Sequence, residues 1–145
     1  METKITRWTE IILRLLIGGL FIFTGVLKVM DPNAFLKAIE NYQILPHTLA
    51  LVTSFYLPFL EIFCGIALVF KRLYAGALTL LAGMMLVFVV ALIGAWARGL
   101  DIDCGCFGSA EEPAHYGWAL SRDFLILAVL GFLGWRYDSK SSWKV

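Results

Sequence analysis

The sequence predicts an all-α membrane protein, a four-helix transmembrane bundle formed by a single integral membrane domain over residues 1–145. The first observation is composition, because 60% of the residues are hydrophobic, only 16% are charged and the mean hydropathy is +0.80. Soluble domains carry about 25% charged residues, and disordered chains are far less apolar. The second observation is a set of four long apolar stretches. The third is tryptophan, since four of the five indoles fall at the ends of those stretches, where the membrane interface favours them: Trp8, Trp96, Trp118 and Trp135.

Each apolar stretch is long enough to cross a membrane as a helix. A helix that rises ~1.5 Å per residue needs about 20 residues to cross ~30 Å of hydrocarbon. Hydropathy places the spans at about residues 11–29, 49–70, 73–97 and 116–135. The turn between the second and third spans is so short that these helices must be antiparallel neighbours. Glycines within the spans predict close helix packing: Gly18, Gly25, Gly76, Gly83, Gly131 and Gly134.

The basic residues predict the orientation of the bundle. Seven lie in the two tails and the 71–72 turn (Lys4, Arg7, Lys71, Arg72, Arg136, Lys140 and Lys144), and three lie on the opposite side (Lys28, Lys37 and Arg98). By the positive-inside rule, both termini are cytoplasmic in an inner membrane, and the connections 30–48 and 98–115 are extracytoplasmic. A cleaved signal peptide is the alternative for span one, but no small-residue cleavage site follows it, so we expect that span to be retained.

The first extracytoplasmic connection predicts a short amphipathic helix along the outer membrane surface. Residues 31–33 give a turn and a helix start, and Phe35, Ile39 and Tyr42 then recur at helical spacing. This apolar face could rest on the bilayer or cover the second connection. We favour the second arrangement because both connections lie on the same side of the membrane.

The second connection contains the one segment that packing does not explain, Asp-Cys-Gly-Cys-Phe around Cys104 and Cys106. Cysteines two positions apart have Cα atoms roughly 5.5–7 Å apart, which overlaps the distance that a disulfide tolerates. Gly105 supplies the backbone freedom to close so small a ring. The ring is strained, and strain makes a disulfide easier to reduce, as an exchange catalyst requires. We predict Cys104 and Cys106 as the catalytic pair, supported by Gly105, Asp103 and Phe107.

Two other interpretations of the cysteine pair stay open. A static disulfide would close almost no loop and could stabilise little. A metal site could draw on Asp103, Cys104, Cys106 and His115, but the usual structural zinc spacing and its second cysteine pair are missing, so we predict no metal.

Thiol–disulfide exchange also requires that the attacking cysteine be a thiolate. Neighbouring carboxylates disfavour a thiolate, and Arg98, Lys28 or Arg122 could offset them.

Two charged side chains are expected at one depth in the bilayer. Glu61 lies ~18 Å along span two from Leu49, and Arg14 lies ~22 Å along the opposite span one from Val29. A lone carboxylate there costs several kcal/mol, so we predict a contact between Glu61 and Arg14; the alternative for Arg14 is snorkelling to the headgroups. Cys64, one turn beyond Glu61, is too remote to resolve the outer pair and is expected to be a small apolar filler.

The chain resembles the MauE/DoxX-like family of small four-helix membrane proteins, which is redox-associated and linked to methylamine utilisation. The matching residues are Arg14, Gly18, the run 23–28, Tyr42, Pro46, Pro58, Glu61, Gly65 and above all the run 103–108. The resemblance implies a redox role for Cys104 and Cys106, maturation of disulfide-rich extracytoplasmic proteins and thioredoxin-like partners. The chain departs from the family pattern at Asp123, where the pair Arg-Asn is expected, and this puts a role for Asp123 in doubt.

The function predicted from these residues is thiol–disulfide exchange between the outer cysteine pair and a thioredoxin-like partner or client protein. Repeated turnover needs a second redox agent, and the membrane quinone pool is the natural candidate, although no quinone motif is present. A non-catalytic assembly factor is the main alternative, followed by a metal-binding module. Lipid is the expected surrounding, and nucleic acid is excluded as a partner because the net charge is +1 without any basic run.

Overall fold

A computed structural model describes residues 4–100 and 116–141 of the chain, and all regular structure in these ranges is helical. The helices are α1 (Lys4–Met30), α2 (Pro32–Asn41), α3 (His47–Val69), α4 (Tyr74–Ala97) and α5 (Tyr116–Ser141). Four of them are long and apolar enough to span a membrane: the segments Thr6–Met30, His47–Val69, Tyr74–Ala97 and Gly117–Asp138. The predicted all-α fold with four spans is therefore confirmed, and the cysteine-bearing connection lies outside the described residues.

The short helix α2 forms where the sequence predicts an amphipathic helix. Its N-cap is Asp31, whose carboxylate accepts a hydrogen bond from the Ala34 amide at 3.0 Å, and proline occupies the first helical position. Phe35 and Ala38 are buried against the bundle, and Tyr42 at the C-cap is buried as well, whereas Ile39 is half-buried. The apolar face of α2 therefore packs on the protein.

Helices α1 and α3 form the closest contact in the bundle, and glycine makes it possible. A Cβ atom on Gly65 would lie 2.8 Å from the Gly18 carbonyl oxygen, and one on Gly25 would lie 2.9 Å from the Pro58 carbonyl oxygen. These distances leave no room for a side chain, so the packing role predicted for Gly18 and Gly25 is confirmed. The same prediction was wrong for four other glycines, which face open space: Gly76, Gly83, Gly131 and Gly134.

The two ends of the bundle are defined by contacts between helix termini. At one end, the turn between α3 and α4 brings Tyr74 against Tyr137 of α5, with ring centroids 5.4 Å apart. We call this the turn end. At the other end, Tyr42 shares an apolar cluster with Leu92 of α4 and Ala119 of α5. We call this the α2 end.

The apolar surface of the bundle fits a lipid surrounding. The core contains fully buried leucines such as Leu68 and Leu81, while many large apolar side chains on the four long helices are exposed. The four tryptophans named above are each at least 60% exposed. Since no aqueous solvent favours so much exposed apolar surface, the outer faces of α1, α3, α4 and α5 are those that contact lipid.

Candidate functional site

A buried ion pair joins α1 to α3 near the α2 end. The Lys28 ammonium donates hydrogen bonds to both carboxylate oxygens of Glu61, at 2.6 and 2.9 Å. Each side chain is 3% exposed. Two aromatic rings also face the ammonium, with centroids 4.8 Å away in Phe35 and 5.4 Å away in Phe88. The cation is thus held by one carboxylate and two π-faces, which replace the water that it loses on burial.

The predicted contact between Glu61 and Arg14 was wrong, and the register of α1 against α3 explains why. Gly25 lies against Pro58 and Gly18 lies against Val69, so α1 residues near Lys28 are level with Glu61. Helix α3 starts about two turns farther out than α1 ends, whereas the prediction assumed that both spans begin at one depth. Arg14 is therefore level with the turn between α3 and α4. Lys28, counted above among the basic residues of the outer side, is buried.

A second ion pair lies in the first turns of α5. Arg122 donates from Nε and from one terminal nitrogen to the same carboxylate oxygen of Asp123, at 3.0 and 2.9 Å. The Asp123 side chain is 3% exposed and that of Arg122 is 18% exposed. Sequence reasoning left Asp123 in doubt, although a signal was available. Asp123 shares its face of α5 with Ala119 and Ile126, which are both buried.

Both ion pairs line one cavity between α1, α3, α4 and α5. Its volume is about 40 Å³, enough for a few water molecules on a scale of about 15 Å³ for each. The charged and polar lining consists of Thr24, Lys28, Glu61, Arg122 and Asp123. Apolar side chains complete it: Leu20, Phe21, Met85, Phe88 and Ile126. Two cations and two carboxylates give this lining no net charge, so the cavity is polar inside an otherwise apolar bundle.

The predicted catalytic pair and its nearest supporting residues lie outside the described residues: Cys104, Cys106, Gly105, Asp103 and Phe107. The helices on either side of them are described. Arg98, just after α4, donates a hydrogen bond to the Tyr42 carbonyl at 2.7 Å, and Leu100 packs near Ala119 of α5. The connection that carries the cysteines therefore leaves from and returns to the α2 end, the end that holds both ion pairs.

Cys64 lies where the sequence predicts, inside the bundle. It is a free thiol, 1% exposed, and belongs to the apolar cluster around Leu68 and Leu81. Its role as a small apolar filler is confirmed. Within residues 4–100 and 116–141, no group of three or more histidine, cysteine or acidic side chains could hold a metal ion. The metal alternative for Cys104 and Cys106 concerns residues beyond these ranges and stays open.

Comparison with known proteins identifies the family. A family model described as methylamine utilisation protein MauE matches residues 6–136. The chain belongs to the MauE family. The methylamine utilisation protein MauE of Paracoccus denitrificans is 31% identical over 120 residues, which cover 81% of this chain and 63% of that relative. The protein of the same name from Methylophilus methylotrophus is 31% identical over 108 residues, which cover 74% of this chain and 54% of that relative.

Membership in the MauE family confirms the resemblance predicted from the residues. The chain spans between about half and just under two thirds of the length of these curated relatives. No solved structure matches the chain.

Proposed function

We propose that this MauE-family protein is a membrane-embedded thiol–disulfide redox protein that acts through Cys104 and Cys106. The observation that carries the proposal is a Cys-Gly-Cys segment between two spanning helices whose ends are both fastened at the α2 end. The positive-inside rule puts that end outside the cytoplasm, in a compartment where disulfides form and persist. An exchange pair so placed is tethered to the membrane and accessible to soluble partners.

The proposed exchange begins when the Cys104 thiolate attacks a disulfide in an extracytoplasmic partner. A mixed disulfide forms between Cys104 and the partner, and the partner's other sulfur leaves as a thiolate. Cys106 then attacks Cys104, which closes the Cys104–Cys106 disulfide and releases the second partner thiolate. Two electrons pass from the pair to the partner, and the two protons lost by the pair are taken up by the partner's sulfurs. The reverse sequence oxidises a reduced partner.

The partner class that we favour is a thioredoxin-like protein or a disulfide-rich client. Since the two named relatives are methylamine utilisation proteins, we propose that the partner serves that process. Repeated turnover of the pair needs a second redox agent, and we propose the membrane quinone pool for this role. A second thiol–disulfide partner is the alternative agent.

The ion pairs support the cysteine connection in this proposal. Lys28 and Glu61 lock α1 to α3, and Phe35 of α2 covers the Lys28 ammonium. Arg122 and Asp123 lie in the second turn of α5, the helix that follows the cysteine connection. Both pairs line the cavity near the end of the bundle from which the connection leaves and to which it returns. We therefore assign the four charged residues a positioning role.

Trapping a mixed disulfide tests the proposal. In Cys106→Ser, the resolving thiol is missing, so we expect a covalent adduct with an extracytoplasmic partner that is visible on a non-reducing gel and lost with reductant. Cys104→Ser should trap little. Cys64→Ser is the matched control, since this thiol is buried in the bundle and its loss should leave the adduct of the Cys106→Ser background unchanged.

Two results would contradict the redox function. Full client maturation by the double variant Cys104→Ser, Cys106→Ser would indicate a non-catalytic assembly factor. Absence of an adduct from either single variant, with zinc or copper co-purifying at about one ion per chain, would indicate the metal-binding module.

A further inference from the structure

Two buried hydrogen-bond donors at the turn end have no acceptor within the described part of the chain. They are Nε of Arg14 and the hydroxyl of Tyr74. Tyr74 is only 5% exposed. Buried polar groups in proteins are almost always hydrogen-bonded, and an unmet donor points to a bound water, ion or ligand. An arginine side chain has no acceptor atoms of its own, so whatever satisfies Nε must bring an acceptor oxygen.

These donors meet where three helices converge. Gly18 packs against Val69 at the end of α3, which places Arg14, one turn earlier in α1, level with the turn that leads to Tyr74. The phenol of Tyr74 lies within electrostatic range of Arg14 and of Glu10. The Tyr74 ring also packs on Tyr137 of α5, the residue after Arg136. Side chains from α1, α4 and α5 thus surround one position.

The charge around this position is strongly positive. Among the residues of the turn end whose side chains the structure describes, six are basic and two are acidic: Lys4, Arg7, Arg14, Lys71, Arg72 and Arg136 against Glu10 and Asp138. The buried carboxylate of Glu10 lies 3.8 Å from the Lys71 ammonium and offsets only part of this charge. A water molecule could satisfy a donor but would leave the net charge unchanged. An anion accepts the hydrogen bonds of these donors and also offsets the positive charge.

We propose that the turn end binds the phosphate of an anionic phospholipid, with Arg14 and Tyr74 as its hydrogen-bond donors and Lys71 and Arg136 as neighbouring cations. Phosphate oxygens accept charge-assisted hydrogen bonds from guanidinium groups, and basic pockets between spanning helices suit such headgroups. The acyl chains have apolar surface beside the turn, because Phe70 and Leu73 are 71% and 74% exposed. This site is independent of the proposed cysteine chemistry.

Native mass spectrometry of the full chain in neutral detergent tests the site. We titrate phosphatidylglycerol and, separately, phosphatidylcholine, and we expect one phosphatidylglycerol per chain to bind at least tenfold more tightly. Arg14→Gln should weaken phosphatidylglycerol binding about tenfold, which corresponds to ~1.4 kcal/mol. Tyr74→Phe should weaken it less, because it removes a neutral donor. Arg7→Gln is the matched control, an exposed arginine on the same helix and at the same end, and should bind as the wild type does.

Several outcomes would overturn the proposal. Equal affinity for the two lipids would show that no anion site exists, and equal losses in Arg7→Gln and Arg14→Gln would show diffuse surface charge. Displacement of phosphatidylglycerol by an equal concentration of inorganic phosphate would identify free phosphate as the ligand.

Thermal unfolding followed by tryptophan fluorescence checks that each variant is folded. If Arg14→Gln does not fold, Arg14→Lys replaces it, because lysine keeps the charge and loses the donor geometry of arginine. Unchanged lipid binding by both Arg14→Lys and Tyr74→Phe would show that these two side chains are not the hydrogen-bond donors.

Discussion

Lys28 and Glu61 each bury a charge that neither lipid nor the apolar core can solvate. Each of them can be buried only because the other pairs with it, at a distance of 2.6 Å between Lys28 Nζ and Glu61 Oε1. The rings of Phe35 and Phe88 add a weaker attraction for the ammonium. Removing one partner leaves the other as an uncompensated buried charge. The resulting loss of folding free energy exceeds the net stabilisation that the intact pair contributes.

A double-mutant cycle measures this coupling. We expect Glu61→Gln or Lys28→Met alone to lower the free energy of unfolding by about 3–5 kcal/mol, and the double variant to lower it by much less than the sum. Denaturant-induced unfolding in detergent, followed by tryptophan fluorescence, provides the measurement. The cycle with Glu61→Gln and Arg14→Gln is the control and should be additive, because Arg14 and Lys28 are ~21 Å apart along α1. Additivity in the first cycle would show that the pair is not coupled.

The sequence predicts that Glu61 needs a partner but not which one. Burial of a carboxylate in a span requires a cation, and that part follows from solvation alone. The choice between Arg14 and Lys28 depends on how far α3 is shifted along α1. Gly18, Gly25 and Gly65 set this shift, because they determine where the two helices come closest. No rule of composition or periodicity gives such a shift from one chain.

At the scale of the elements, small residues decide which helix faces meet. Gly18 and Gly19 are neighbours in α1 and have the same helix propensity, yet only Gly18 faces α3. A Cβ atom on Gly18 would lie 2.6 Å from Val69 Cγ2 and 3.0 Å from the Gly65 carbonyl oxygen, whereas one on Gly19 would meet nothing within 4 Å. The sequence predicts close packing for glycines in spans, but it does not say which of them face a neighbour.

Alanine at these two positions separates packing from propensity. We expect Gly18→Ala to lower the free energy of unfolding by about 1–3 kcal/mol, since the added methyl group forces α1 and α3 apart. Gly19→Ala should be neutral or stabilise by up to about 1 kcal/mol through helix propensity. Both variants are compared with the wild type by thermal unfolding in detergent. Equal effects at the two positions would contradict the close contact between α1 and α3.

The helix α2 provides a second prediction at this scale, because Phe35 joins it to the buried Lys28 ammonium. Phe35 is 4% exposed. We expect Phe35→Ser to loosen α2 from the bundle and to raise the rate at which a maleimide alkylates reduced Cys104 and Cys106 severalfold. Ile44→Ser is the control, since Ile44 follows α2 and is 52% exposed. An unchanged rate with weaker membrane integration would mean that α2 is a plain interfacial helix.

At the scale of the whole molecule, the two ends of the bundle differ in the exposure and pairing of their charged side chains. The cations of the turn end are mostly exposed, whereas two cations of the α2 end, Lys28 and Arg122, are paired with carboxylates. Burial of Lys28 lowers the number of exposed basic residues at the α2 end, which already has fewer basic residues than the turn end. Counting only the basic residues outside the spans leaves the positive-inside prediction of a cytoplasmic turn end unchanged.

The orientation of the bundle decides whether the cysteine pair can serve as an exchange site, so it is the prediction on which the function depends. In intact cells treated with reductant, we expect a membrane-impermeant maleimide to label Cys104 or Cys106 and to miss Cys64, which is 1% exposed. A single cysteine introduced as Arg72→Cys, in a background where the three native cysteines are serine, should react only after the cytoplasmic face is opened. The reverse pattern, with position 72 labelled from outside, would place the pair in the reducing cytoplasm, where a disulfide of this kind does not persist.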